Sequence, residues 1–256
     1  MKNYTITKLL AEYINEVIAE PSGNTFVVKS DEGSNFILKS NGLQPWIKGL
    51  GGGLRCFSVY KMSKTENDIV DPVKIIKSLK NPTSKDSLVV PRGTVNQILQ
   101  KSTDLCIPWL KDLNIDIITT PQSSKTLSMK FAKMISKNLD KKFIPAGTVK
   151  DLESARISSD IPASYSAKSI SDLNRSLAKM KMSKSQELHK HFRPRDRKFI
   201  TDWQKIRAND QFEQGKNVLL VDDVISDGAT MLEMANVLKK LGVNVVGCIT
   251  MIKTTK

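Results

Sequence analysis

Hydrophobic positions near the start of the chain fall three and four apart. Leu9, Leu10, Tyr13, Ile14, Val17 and Ile18 form one stripe, which predicts a helix over residues 4–20, ended by Pro21, Ser22 and Gly23. The period then drops to two. In "NTFVVKSDEGSNFILKS" two strand-like runs flank Asp31, Glu32, Gly33 and Ser34, the pattern of a hairpin. "GLGGG" at 49–53 has the glycine content of a dinucleotide loop. "LRCFSVYKM" after it reads as a strand and not a helix, so a hairpin connection is the better reading. Residues 63–86 are polar, carry Pro72 and Pro82, and read as a connecting region.

From about Val95 the pattern alternates between helix and strand. "TVNQILQKSTDLCIPWLKDLNI" is helical, with a break expected near Pro108. "IDIITT" follows as a short buried strand ending at Pro121, "QSSK" is a polar turn, and "TLSMKFAKMISKNL" is an amphipathic helix with Leu127, Phe131, Met134, Ile135 and Leu139 on one face. "KFIPAGTV" reads as another strand, and "KSISDLNRSLAKMKM" as a helix before the basic loop "HKHFRPRDRKF". Near the end come the strand "NVLLV", a helix over about 229–240 stopped by Gly242, and the strand "NVVGCITMI". Apolar strands alternating with helices predict an α/β fold: a parallel sheet flanked by helices, with a β-containing N-terminal region. The style change divides the chain into residues 1–94 and 95–256.

Composition narrows the class. No apolar run is long enough to span a bilayer, and the N-terminus carries glutamates within its apolar pattern, so a soluble, cytoplasmic protein is expected. Cys56, Cys106 and Cys248 are far apart with no CxxC pair, which argues against a disulfide framework or a zinc site. His189 and His191 form an HxH without a local carboxylate or cysteine cluster, so they do not read as metal ligands. Forty Lys and Arg against 26 Asp and Glu leave a net charge of +14. Such an excess suits polyanions, either phosphorylated metabolites or DNA and RNA, and suits equally a well-solvated lysine-rich surface.

The chemistry concentrates in "NVLLVDDVISDGAT". Asp222 and Asp223 follow a buried strand, and "VISDGAT" leads into a helix N-terminus, where backbone N–H groups and the helix dipole favour an anion. Ligands of open parallel sheets sit beyond the carboxyl ends of the strands. Gly228 allows close approach of the backbone. Two carboxylates able to hold vicinal hydroxyls, next to a phosphate cradle, match a sugar phosphate with a free diol, with a magnesium ion accompanying it.

"VLLVDDVISDGAT" resembles the phosphoribosyl-pyrophosphate (PRPP) motif of type I phosphoribosyltransferases: a hydrophobic strand, two acids, two apolar residues, and a hydroxyl-rich turn with glycine and a closing Thr. The match covers about thirteen residues, and residues 95–256 fit the family otherwise only in topology. The resemblance implies that Asp222 and Asp223 hold the ribose 2- and 3-hydroxyls. It implies that Ser226, Asp227, Gly228, Ala229 and Thr230 wrap the 5-phosphate, and that Ser123, Ser124 and Lys125 of "TTPQSSK" bind pyrophosphate. For Ser123 and Ser124 an ordinary helix N-cap is the competing reading. The implied activity is glycosyl transfer: pyrophosphate, assisted by Mg2+, or a nucleotide leaves an activated pentose, and a base or related acceptor takes its place.

Two departures stand out. Ser226 sits where purine-salvage members carry an acid. Asp227 sits where the family has Thr, Ser or Ala against the 5-phosphate, and a carboxylate there repels a phosphate. Asp227 either caps the helix or accepts a hydroxyl of a donor that lacks the phosphate. The second clue is charge. Residues 168–198 hold ten Lys or Arg and three acids. By the resemblance Arg193, Arg195, Arg197 and Lys198 belong to a mobile loop that closes over pyrophosphate. They suit a nucleic-acid backbone equally, and a solvated basic face is the plain alternative. Beside the metabolite enzyme stand two other readings: a pentosyltransferase that modifies a nucleic-acid base, and a non-catalytic nucleic-acid-binding regulator that keeps the pocket.

Overall fold

The computed structural model describes residues 19–20, 23–29, 35–40, 45–51, 53–64, 92–123, 126–183, 188–193, 195–207 and 212–254. Among these, ten strands form one sheet. In chain order its strands are β1 (Ala19–Glu20), β2 (Gly23–Lys29), β3 (Asn35–Ser40), β4 (Trp46–Gly51), β5 (Leu54–Lys64), β6 (Ile117–Pro121), β7 (Lys142–Lys150), β10 (Gln204–Ile206), β11 (Asn217–Ile225) and β12 (Asn244–Thr254). A separate two-stranded ribbon joins β8 (Arg156–Ile157) to β9 (Ile200–Thr201). The spatial order is β1-β2-β3-β5-β12-β11-β6-β7-β10, with β4 paired to the first half of β5. Strands β5, β12, β11, β6 and β7 run parallel, while β10 and the β1–β3 side are antiparallel. Strand β5, from the N-terminal stretch, thus lies beside β12 in the same sheet.

Each face of the parallel core carries helices because its strands are apolar on both sides. Leu219 and Val221 of β11 pack with α1 (Arg92–Lys111) and α2 (Leu127–Leu139), through Ile98, Leu99, Phe131 and Ile135. Val218 and Leu220 point the other way and pack with α5 (Ala229–Lys239), through Met231, Met234, Ala235 and Leu238. All four β11 side chains are fully buried. Each such burial is worth about 1.5–3 kcal/mol, so this strand anchors the turn at its carboxyl end. After α5, Gly242 adopts φ +75°, the left-handed stop that its position predicts.

Five sequence expectations need correction or placement. Helix α1 runs unbroken through Pro108. That residue is exposed, as is Asp104, whose carbonyl receives no N–H from the proline four residues on, and the buried stripe Val95, Ile98, Leu99, Cys106 and Leu110 holds the helix in register. Strand β11 does not end at Val221; it continues through both acids to Ile225, paired to β12 as far as Ile225↔Lys253. The basic stretch after α3 (Ala167–Met182) is not an open loop: it contains α4 (Leu188–His191) and a 3-10 turn, Arg197–Phe199. Leu173, Leu177 and Met180 of α3 form a satellite core with Leu188, Phe192, Ile200 and Trp203, and Tyr165 meets Phe199 edge-on with centroids 5.1 Å apart. Of the helix expected at residues 4–20, residues 19–20 form β1, and the rest lies outside the described residues, as does most of the connecting region at 63–86.

Cys56 and Cys248, distant in sequence, are direct cross-strand partners. They and Cys106 are buried free thiols. His191 Nε2 lies 3.1 Å from Ser183 Oγ.

Candidate active site

Pairing of β11 to β6 ends at Leu220↔Thr119, whereas pairing to β12 continues for five more residues. Asp222 and Asp223 occupy the stretch beyond β6, at the carboxyl end of the sheet, and the loops 122–126 and 226–228 leave from that same end. Consecutive strand residues project to opposite faces. Asp223 is 1% exposed, and the alternation set by Val218 to Val221 breaks at the acids, since Val224 packs toward α1 and α2 and Ile225 toward α5. Asp222 is half-buried and accepts the Asp223 backbone N–H on Oδ1 at 2.8 Å. The two acids share a strand end but not an environment.

Ser226 is exposed, Gly228 and Ala229 are buried, and Asp227 and Thr230 are intermediate. Gly228 has φ +87°, so the chain turns from strand to helix through a conformation that disfavours side chains. Asp227 does cap this turn: Oδ1 accepts the Ala229 N–H at 3.0 Å. Its other oxygen, Oδ2, accepts from Arg197 Nη1 at 2.6 Å, and both side chains are largely buried, at 14% and 17% exposure. Arg197 Nε is also used, donating to the Phe192 carbonyl at 3.1 Å. Arg197 therefore reaches the turn after β11, not open solvent. Arg193, Arg195 and Lys198 are exposed, with Arg195 near Asp196.

On the other loop, the N-cap of α2 is Thr126, which makes no side-chain capping bond, so Ser123 is not the cap. Ser123 is exposed, and Ser124 and Lys125 lie outside the described residues.

Two contacts had no sequence signal. Lys48 of β4 donates from Nζ to the Ser226 carbonyl. Leu50, two residues on, lies over Gly228 so closely that a Cβ there would meet Leu50 Cδ2 at 2.4 Å. Both residues are more than 170 positions from the turn they touch, beyond any local pattern.

Helix α5 also grips the start of β10. Gln204 Nε2 donates to the Thr230 carbonyl at 3.0 Å. Glu233, 4% exposed, lies beside Asp202 and Gln204. Burial pushes its carboxyl up to about 6, with the Asp202 charge adding to the rise. Asp202, paired with Lys240 and Arg156, is held below its ordinary value, first by the Lys240 hydrogen bond. Because the Glu233 value is raised, its favourable share of stability is complete below the unfolded value near 4.5 and is lost as pH rises through about 6. Glu233→Gln keeps the size of the side chain and cannot ionise. Its melting temperature is expected to match wild type at pH 4.5 and to exceed it by about 2–5 °C above pH 6.5. Scanning calorimetry across that range checks this, and a difference independent of pH would contradict it.

Among the described residues no three His, Cys, Asp or Glu side chains converge on a point that would hold a metal ion, and no helix is long and apolar enough to cross a membrane.

The phosphoribosyl transferase domain matches residues 126–256, just over half of the chain. No curated protein matches it in sequence. Among solved structures it is similar to the adenine phosphoribosyltransferase of Thermoanaerobacter pseudethanolicus (16% identity, 64% of this chain and 85% of that one, TM-score 0.36). The Leishmania tarentolae enzyme of the same name is similar at 14% identity, 81% and 94% coverage and TM-score 0.39. That of Trypanosoma brucei, solved with AMP, pyrophosphate and ribose-5-phosphate, is similar at 14% identity, 82% and 87% coverage and TM-score 0.38. The domain match spans α2, the strand bearing Asp222 and Asp223, and the turn into α5, so the chain belongs to the phosphoribosyl transferase family and is a glycosyltransferase of that type.

Proposed function

We propose that the chain transfers a 5-phosphoribosyl group from PRPP to a base or related acceptor. The observation that carries this is the juxtaposition of Asp222 and Asp223 with the turn 226–230 at the carboxyl end of β11. In this reading Asp222 and Asp223 accept hydrogen bonds from the ribose hydroxyls. The amides opening α5 and the Thr230 hydroxyl meet the 5-phosphate, which the α5 dipole favours. Ser123, Ser124 and Lys125 meet pyrophosphate ahead of α2, whose first turn has no side-chain cap from Thr126. The bond from C1 to the pyrophosphate oxygen breaks, and a bond from C1 to the acceptor forms. The protein's contribution is orientation and charge stabilisation.

Magnesium bound to the pyrophosphate would neutralise the leaving group. Asp222 and Asp223, the carboxylates at the end of β11, would be the side chains that hold such an ion beside the donor. In this reading residues 1–94 supply a hood or an acceptor- or nucleic-acid-binding part and residues 95–256 the transferase core, and β5 of the first stretch pairs with β12 of the second.

A second reading keeps a nucleic acid as the acceptor. Lys168, Arg175 and Lys179 of α3 are exposed, as are Arg193, Arg195 and Lys198. Titration calorimetry with PRPP and Mg2+, run beside a single-stranded oligonucleotide at two salt concentrations, tests both. PRPP binding that requires Mg2+ is expected. Its absence would refute the donor assignment, and oligonucleotide binding that falls steeply with salt would favour the second acceptor class.

A further inference from the structure

Asp227 is an obstacle for a phosphorylated donor, yet both of its oxygens are already used. Oδ1 holds the Ala229 N–H and Oδ2 holds Arg197. An ion pair at 2.6 Å between largely buried groups acts at a distance as a dipole and no longer as a lone negative charge. Lys48 brings a second cation to the same turn, at the Ser226 carbonyl. Two positive side chains and one negative thus border the turn. The three come from separate parts of the chain: a β-hairpin, the segment between β7 and β11, and the turn itself.

We propose that Lys48, Arg197 and Asp227 together select a donor that carries a 5-phosphate. Arg197 locks the Asp227 carboxylate onto the start of α5, and Lys48 supplies the cation that meets the phosphate. This assignment rests on the functional reading above and adds residues outside the motif. It also decides between the two roles open for Asp227. A carboxylate engaged by an amide and a guanidinium serves as a neutralised cap, not as a receptor for a 5-hydroxyl. A merely structural pair, fastening the basic segment to α5, would leave sugar preference untouched, and that difference is measurable.

The test is calorimetric titration of the full chain with ribose 5-phosphate and with ribose, in wild type and four variants. Wild type is expected to prefer ribose 5-phosphate. Lys48→Met should weaken ribose 5-phosphate by about 10- to 100-fold, the range for a hydrogen bond to a charged group, and leave ribose unchanged. Arg197→Met should weaken it at least as much, because it frees the Asp227 charge. Asp227→Thr in the Arg197→Met background should restore most of the loss, a strong non-additivity. Asp227→Thr alone should keep the phosphate preference. If the double variant binds as weakly as Arg197→Met, or if Lys48→Met keeps full selectivity, the proposal is overturned. Lys48 is half-exposed on a strand near the sheet margin, so its variant stays informative even if Arg197→Met fails to fold. Wild-type binding of PRPP that none of these variants alters would refute this assignment and leave the transferase reading standing. A wild type that binds neither PRPP nor ribose 5-phosphate would refute both.

Discussion

Asp222→Asn combined with Asp223→Asn is expected to reduce PRPP affinity by about 10²- to 10⁴-fold while the protein still melts cooperatively. The magnitude follows from two hydrogen bonds to ionised acceptors, each worth about 1.5–3 kcal/mol. The preserved fold follows from the surroundings of each acid. Asparagine at 222 keeps the oxygen that receives the Asp223 N–H. Asparagine at 223 has nearly the size and shape of the aspartate it replaces at a position 1% exposed, so the packing there is kept. Both single variants should therefore melt close to wild type. Donor titration and calorimetry on the two single variants and the double variant give both readouts. Undiminished PRPP affinity in the double variant would sink the diol assignment.

The parts legible in the sequence are those whose cause is local. The β2–β3 hairpin follows from alternation around a polar turn, α2 from one apolar face, and the β11–α5 turn from an apolar run, two acids and a glycine. The features that escaped depend on long-range contact. Lys48 and Ser226 are 178 residues apart, and Arg197 and Asp227 are 30 apart. The misfit of Asp227 is visible in the sequence as a charge in the wrong place, but its compensation sits on a 3-10 turn hidden in a polar stretch. That stretch folds because a few residues, Phe192, Phe199, Ile200 and Trp203, are buried. They are too sparse to produce a period. The Pro108 break failed for a related reason. Proline's effect on a helix depends on which face it occupies, and residue type alone does not carry that information.

Gly228→Ala is expected to cost about 2–3 kcal/mol of stability and to weaken ribose 5-phosphate binding at the same time. Two causes add. A side chain at φ +87° costs about 1–2 kcal/mol. The new Cβ would also lie 2.4 Å from Leu50 Cδ2 and 3.2 Å from Cδ1, inside contact distance. Leu50 sits at the margin of the α5-side core and can move, so the chain refolds around the intruder. The movement is not harmless. Lys48 and Leu50 are two apart on β4 and share a face, so pushing Leu50 away draws Lys48 from the Ser226 carbonyl. Adding Leu50→Ala separates the causes. It removes the collision, so sugar-phosphate affinity should return toward wild type. The backbone strain remains and the Leu50 contacts are gone, so the melting temperature should stay low. Parallel titration and calorimetry on Gly228→Ala, Leu50→Ala and the double variant decide the matter. If Gly228→Ala lowers stability but leaves sugar-phosphate affinity unchanged, the β4–β5 hairpin plays no part in holding the donor.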